Sequence, residues 1–111
     1  MNQSTDVIII YDALIAEFPD VERKGKTTPY TSTNTYMSSF IGKEGILAFR
    51  LSANDIDVLI ETHDARLMTQ HGKTMKDFVA IPTRVTNDNA LLKHYFQKSI
   101  DHTNGLKPKK K

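Results

Sequence analysis

Four cations, Arg50, Arg66, Lys73 and Lys76, are the residues whose type and placement best suit binding chemistry. Arg50 and Lys76 fall inside segments expected to be strands, where a charge has to face solvent, a partner or a counter-ion. If their strands pair, the cations form one spot. There an arginine can hold a carboxylate or phosphate through two parallel hydrogen bonds, and a lysine adds a point charge. The competing reading is a salt-bridged polar sheet face, with Asp77 or Glu44 as counter-ion, and it outweighs the first.

Other chemistry is narrowed quickly. The 111 residues include no Cys, which removes thiolate nucleophiles, disulfides and cysteine-based metal sites. No Gly-x-Ser-x-Gly elbow occurs, and glycines 25, 42, 45, 72 and 105 form neither a dinucleotide fingerprint nor a phosphate loop. His63, His71, His94 and His102 have no two-histidine i, i+4 spacing on a helix, so no metal and no cofactor are expected. Asp55, Asp57, Glu61 and Asp64 form an acidic run without a basic residue between Ala53 and Ala65. Such a run can hold a cation or do acid–base work, but a solvated helix face is the preferred account.

The formal charge of +2 invites a nucleic-acid reading, through Arg23-Lys24-x-Lys26 and the terminal Lys107, Lys109, Lys110 and Lys111. Without Leu106–Lys111, however, 11 basic residues face 13 acidic ones. The basicity therefore belongs to the tail and not to the fold. No RNP-like aromatic motif, zinc finger or helix-turn-helix accompanies it. The longest apolar run, Val7 to Tyr11, is far short of the ~20 residues that a membrane span requires. There is no cationic start of the secretory type, so no membrane association and a cytoplasmic location are expected.

The elements that must position these residues follow from periodicity. The spacing of Val7, Tyr11, Leu14, Ile15 and Phe18 predicts a helix over 4–18, stopped by Pro19. A short strand is expected within Val21–Lys26, followed by an irregular hydroxyl-rich connection over 27–35. Tyr36–Ile41 and Ile46–Leu51 read as a hairpin around Gly42-Lys43-Glu44-Gly45, with Tyr36, Ser38 and Phe40 on one face. Ser52 with Asp55 three residues on marks the start of a helix over 53–63, burying Ile56, Leu59, Ile60 and His63. Two further strands, Leu67–Gln70 and Lys76–Ile81, flank His71-Gly72. A last helix runs from Asn87 or Asp88 to a cap at Gly105. The expectation is one α+β domain over residues 1–105, with a flexible basic tail over 106–111. Its sheet is mostly antiparallel, of four to five strands, with helices at the N-terminus, middle and C-terminus that pack on one sheet face.

Three stretches resemble the TfoX N-terminal domain family, small α+β domains related to a bacterial competence regulator. Gly45-Ile46-Leu47-Ala48-Phe49-Arg50-Leu51-Ser52 is similar to a family strand that ends in a basic residue and a helix cap. Ala53 to Ile60 resembles the acidic helix that follows it. Gly72-Lys73-Thr74-Met75-Lys76-Asp77-Phe78-Val79-Ala80-Ile81-Pro82 resembles the most specific family segment. With the flanking helices, the likeness covers about residues 7–100. The Met-Phe-Gly-Gly-like turn of many members is replaced here by Lys26-Thr27-Thr28-Pro29-Tyr30-Thr31.

The resemblance implies a fold and an interaction role connected with gene regulation. The leading expectation is a non-enzymatic interaction module that binds a protein partner or a second copy of itself. One alternative is a small anionic-ligand or catalytic site built from Arg50, Lys73 and Lys76. Another is accessory nucleic-acid binding through the lysine tail.

Overall fold

The computed structural model describes residues 3–19, 21–25, 29–34, 36–42, 45–70 and 72–107. The chain runs α1 (Gln3–Ala16), β1 (Arg23–Lys24), β2 (Tyr30–Thr33), β3 (Tyr36–Ile41), β4 (Leu47–Arg50), α2 (Ala53–His63), β5 (Arg66–Gln70), β6 (Lys73–Ala80), α3 (Thr83–Thr86) and α4 (Asn89–Asn104). All strands pair antiparallel in one six-stranded sheet of order β1-β2-β3-β4-β6-β5. The fold class is α+β, as expected, but the sheet has six strands rather than four to five. Tyr30–Thr33, expected to be irregular, is a strand, and α3 is an added helical turn after Pro82.

The register lays out two faces. One row across the sheet is Thr31, Ser39, Phe49, Val79 and Leu67. This row faces the helices, and Phe49 and Val79 join Tyr11, Leu14, Ile56, Leu59, Val85, Leu92, Phe96 and Ile100 in the main core. Phe96 sits at its centre, fully buried, with Phe18 4.8 Å and Phe49 5.5 Å away between ring centres. The neighbouring row, Tyr30, Phe40, Ala48, Ala80 and Arg66, points the other way.

Two bulges distort the sheet. Between Thr31 and Ser32 the partner jumps from Ser39 to Met37, which leaves Ser38 as the extra residue. Ser38 therefore does not share a face with Phe40. It turns toward the helices, where its hydroxyl lies 2.7 Å from that of Thr31. Between Leu67 and Met68 the partner on β6 jumps from Val79 to Met75, so that Lys76–Phe78 arch away from β5.

Helix ends follow local chemistry. Ser52 caps α2 by accepting from the Asp55 N–H at 3.2 Å, and Asp88 caps α4 by accepting from Leu91 N–H at 3.1 Å. In α2, Ile56 and Leu59 are buried as expected, but Ile60 is 37% exposed and His63 only half-buried. Gly105 closes α4 with an ordinary negative φ of −80°. The carbonyls on either side of it are served by Asn34, in the left-handed region at φ 53°. Its amide donates to Thr103 O at 3.0 Å and Leu106 O at 2.6 Å. Asn34→Ala removes these donors and places a Cβ-only residue in a region it disfavours. Chemical denaturation should register a loss of about 1–2 kcal/mol; a midpoint equal to that of the parent would refute this role.

Candidate functional site

Arg50 has the most determined surroundings of the four cations. It ends β4 opposite Phe78 of β6. Its Nε donates to Met37 O at 2.8 Å, and its Nη1 lies 3.4 Å from an Asp77 carboxylate oxygen. The guanidinium also lies over two aromatic rings, 4.6 Å from the centre of Phe78 and 5.4 Å from that of Tyr36. Its side chain is only 15% exposed, against 72% for Asp77. The residue is held by its neighbours, with Asp77 as the counter-ion anticipated from sequence.

The other three cations are spread along β5 and β6. Arg66 starts β5 opposite Ala80, Lys73 starts β6 opposite Gln70, and Lys76 lies in the arch of β6; all three are exposed. Arg50 and Arg66 flank β6 on one face, two strands and two residues apart, which strand geometry makes roughly 12 Å between their Cα atoms. At the C-terminus, the Lys107 carbonyl accepts from the Tyr36 hydroxyl at 2.6 Å. Lys109, Lys110 and Lys111, like Glu44 and His71, lie outside the described residues.

The acidic helix is partly neutralised, since Asp55 lies 3.7 Å from Lys98 of α4. Among the described residues no group of three or more His, Cys, Asp or Glu could hold a metal ion. His94 packs edge-on against Tyr95 at 5.1 Å.

Two adjoining clefts run along α4. One, of about 310 Å³, lies against Phe18, Pro19, Val21 and Ile100; the other, of about 470 Å³, opens between Ser32–Asn34 and Gln97, Asp101 and Asn104. Neither is lined by Arg50, Arg66, Lys73 or Lys76.

Between α1, α4 and strands β2 and β3 lies a network of hydroxyls. Tyr11 Oη is 2.6 Å from Ser39 Oγ, and Thr31 Oγ1 is 2.5 Å from Ser39 Oγ and 2.7 Å from Ser38 Oγ. Ser99 donates to Ser38 O at 2.8 Å, joining α4 to β3. Burial pushes the Tyr11 phenol above its ordinary pKa of 10.0, partly offset by its hydrogen bonds to Ser39 and Thr31. Burial also raises Tyr95, and the Asp55 charge adds to the shift. The network joins α1 and α4 to the sheet.

The sheet face turned away from the helices was expected to be partly open; the apolar cluster on it is what sequence reasoning did not single out. Phe40, Ala48, Met68 and Phe78 are buried there, with Tyr30, Met37, Met75 and Ala80 half-buried around them. All eight belong to strands. The small Ala48 and Ala80 leave room for the Phe40 and Phe78 rings to meet edge-on at 5.2 Å. The available signal was the unbroken apolar run Phe78-Val79-Ala80-Ile81, which marks a strand buried on both faces.

The two edges of the sheet differ. The β1 edge consists of the exposed Arg23 and Lys24, with Arg23 3.1 Å from Asp12. The β5 edge, Arg66-Leu67-Met68-Thr69-Gln70, is longer and carries one charge, at its first residue. Among the described residues no helix is long and apolar enough to cross a membrane. No family model, curated protein or solved structure matches the chain.

Proposed function

We propose that this chain is a non-enzymatic interaction module of the TfoX N-terminal type, which binds another polypeptide through its sheet. The observation that carries this reading is the contrast between the sheet edges. Among the described residues strand β5 pairs with β6 alone and turns its other edge outward, beside the apolar cluster of Met68, Met75 and Phe78. An edge strand offers a row of backbone donors and acceptors, and natural sheets blunt such edges with charge or cover when they are not used. Here β1 is blunted by Arg23 and Lys24, while β5 is not. Strand addition supplies main-chain hydrogen bonds, and the adjoining apolar side chains supply selectivity. The resemblance of residues 45–60 and 72–82 to the family points to the same interaction role, in gene regulation.

The test is a photo-crosslinking residue, p-benzoylphenylalanine, placed at the exposed Thr69 and, as a control, at Lys24 on the opposite edge. Irradiation in the host cell should give a discrete adduct from position 69 and none from position 24. No adduct from position 69, with the variant folded, defeats the reading.

A further inference from the structure

We infer that the partner of strand β5 is a second copy of this chain, joined antiparallel about a two-fold axis at Met68. This deepens the edge-binding reading above and rests on it. A two-fold axis perpendicular to the sheet keeps each face continuous, so self-paired residues must be an even number of positions apart. Only the register centred on Met68 pairs all five residues of each β5, from Arg66 to Gln70.

Charge favours that register. Arg66 is the one charge in the strand, and it comes opposite the neutral Gln70 of the other copy. Like charges directly opposite would oppose pairing, and none arise. The nearest Asp, Glu, Lys or Arg on either side of the strand are Asp64 before it and Lys73, the first residue of β6, after it, both exposed. Neither is in an ion pair among the described residues. In the antiparallel arrangement each end of the paired strands sets Asp64 of one copy opposite Gly72 of the other, the residue next to Lys73. Self-pairing of the β1 edge would do the opposite, setting Arg23 and Lys24 against the same two cations.

The joint also brings the two apolar clusters side by side. Met68 belongs to the cluster on the face away from the helices, with Met75 and Phe78. With the faces preserved, the two Met68 positions, each 3% exposed within its own cluster, stand directly opposite one another on that face. The product is a twelve-stranded sheet with every helix on one side.

A contact of one short strand per copy falls in the weak, transient class of interfaces, so sedimentation velocity should be run from ~10 to ~500 µM. The expected result is a shift toward twice the 12.6 kDa chain mass as concentration rises. Thr69→Lys, an exposed edge position, should weaken dimerisation by tenfold or more, in keeping with the use of edge lysines against pairing. The absence of native cysteine allows a direct test of register. Met68→Cys should form a disulfide-linked dimer on mild oxidation, because directly opposed strand residues are within bridging distance. Thr69→Cys, which faces the other side of the sheet and is not self-opposed, should not.

A monomer at every concentration overturns the inference. So does a dimer that Thr69→Lys leaves intact, or one that is bridged by Thr69→Cys and not by Met68→Cys. If the chain is monomeric while position 69 crosslinks to a different protein in the cell, self-pairing fails and the interaction-module reading stands.

Discussion

Phe96→Ala should destabilise the protein by about 3–5 kcal/mol, the range for removing a large buried aromatic side chain. Phe96 is fully buried, and its ring is the one that meets both Phe18, beyond α1, and Phe49, on β4. Truncation opens a cavity where helix, loop and sheet converge, and the three elements cannot all close into it. A domain of this size is stable by roughly 5–15 kcal/mol, so the loss is a large share of the total. In thermal melts followed by circular dichroism, the midpoint should fall by roughly 10–25 °C. Ile9→Ala is the matched control. Ile9 is 63% exposed on α1, and its truncation should stay within about 0.5 kcal/mol. A Phe96→Ala loss under about 1 kcal/mol would mean that the aromatic junction is not the centre of the core.

The second large effect is expected at the buried hydroxyls. Thr31→Val keeps the shape but removes the oxygen shared by Ser38 and Ser39. Both serines are fully buried, so water cannot replace the lost partner without opening the helix–sheet joint. The cost should be about 1–3 kcal/mol, measured as a shift in the urea midpoint without a change in slope. Because the hydroxyls act together, Thr31→Val and Ser39→Ala should be non-additive in a double-mutant cycle. Additive effects would show that the bonds act separately.

The same network sets a pH dependence. The folded Tyr11 phenol holds its proton more tightly than the unfolded one. Its contribution is therefore fully present below the ordinary pKa of 10.0 and is lost as pH rises through the higher folded value. Stability should fall in alkali, and Tyr11→Phe should make that fall shallower without abolishing it, since Tyr95 is shifted in the same direction. An unchanged alkaline slope in Tyr11→Phe would rule out this linkage.

Much of the fold was legible where period and capping agree. Helix α2 has its apolar residues at helical spacing behind a Ser52 cap, and its bounds match the sequence reading. Strand β3 also begins and ends where expected, at Tyr36 and Ile41. Strand β2 was not legible, because its buried residue is Thr31. Hydroxyls that bury themselves by bonding one another leave no mark in hydropathy. The bulge at Ser38 was hidden for a related reason, since strict alternation assumes an unbroken ladder. Of the candidate binding residues, Arg50 and its counter-ion Asp77 were readable, because a strand charge needs a partner. The dispersal of Arg66, Lys73 and Lys76 was not, because it follows from which strands pair and from the arch of β6. The open edge was hidden too, since strand order is a property of the whole sheet.

The position of α4 bears on how the chain is made. Leu92, Phe96 and Ile100 come from this helix, as does the Ser99 hydroxyl that reaches the backbone of β3. When residues 1–88 have left the ribosome, every strand has emerged, yet the middle of the sheet still lacks its cover. Ser38 then lacks the bond its carbonyl accepts from Ser99, and Asn34 has no helix end to bind. A nascent chain at that stage presents apolar strand surface together with the open β5 edge, a combination suited to chaperone capture or premature pairing. Synthesis of α4 supplies that cover, and the open edge is exposed both before and after it.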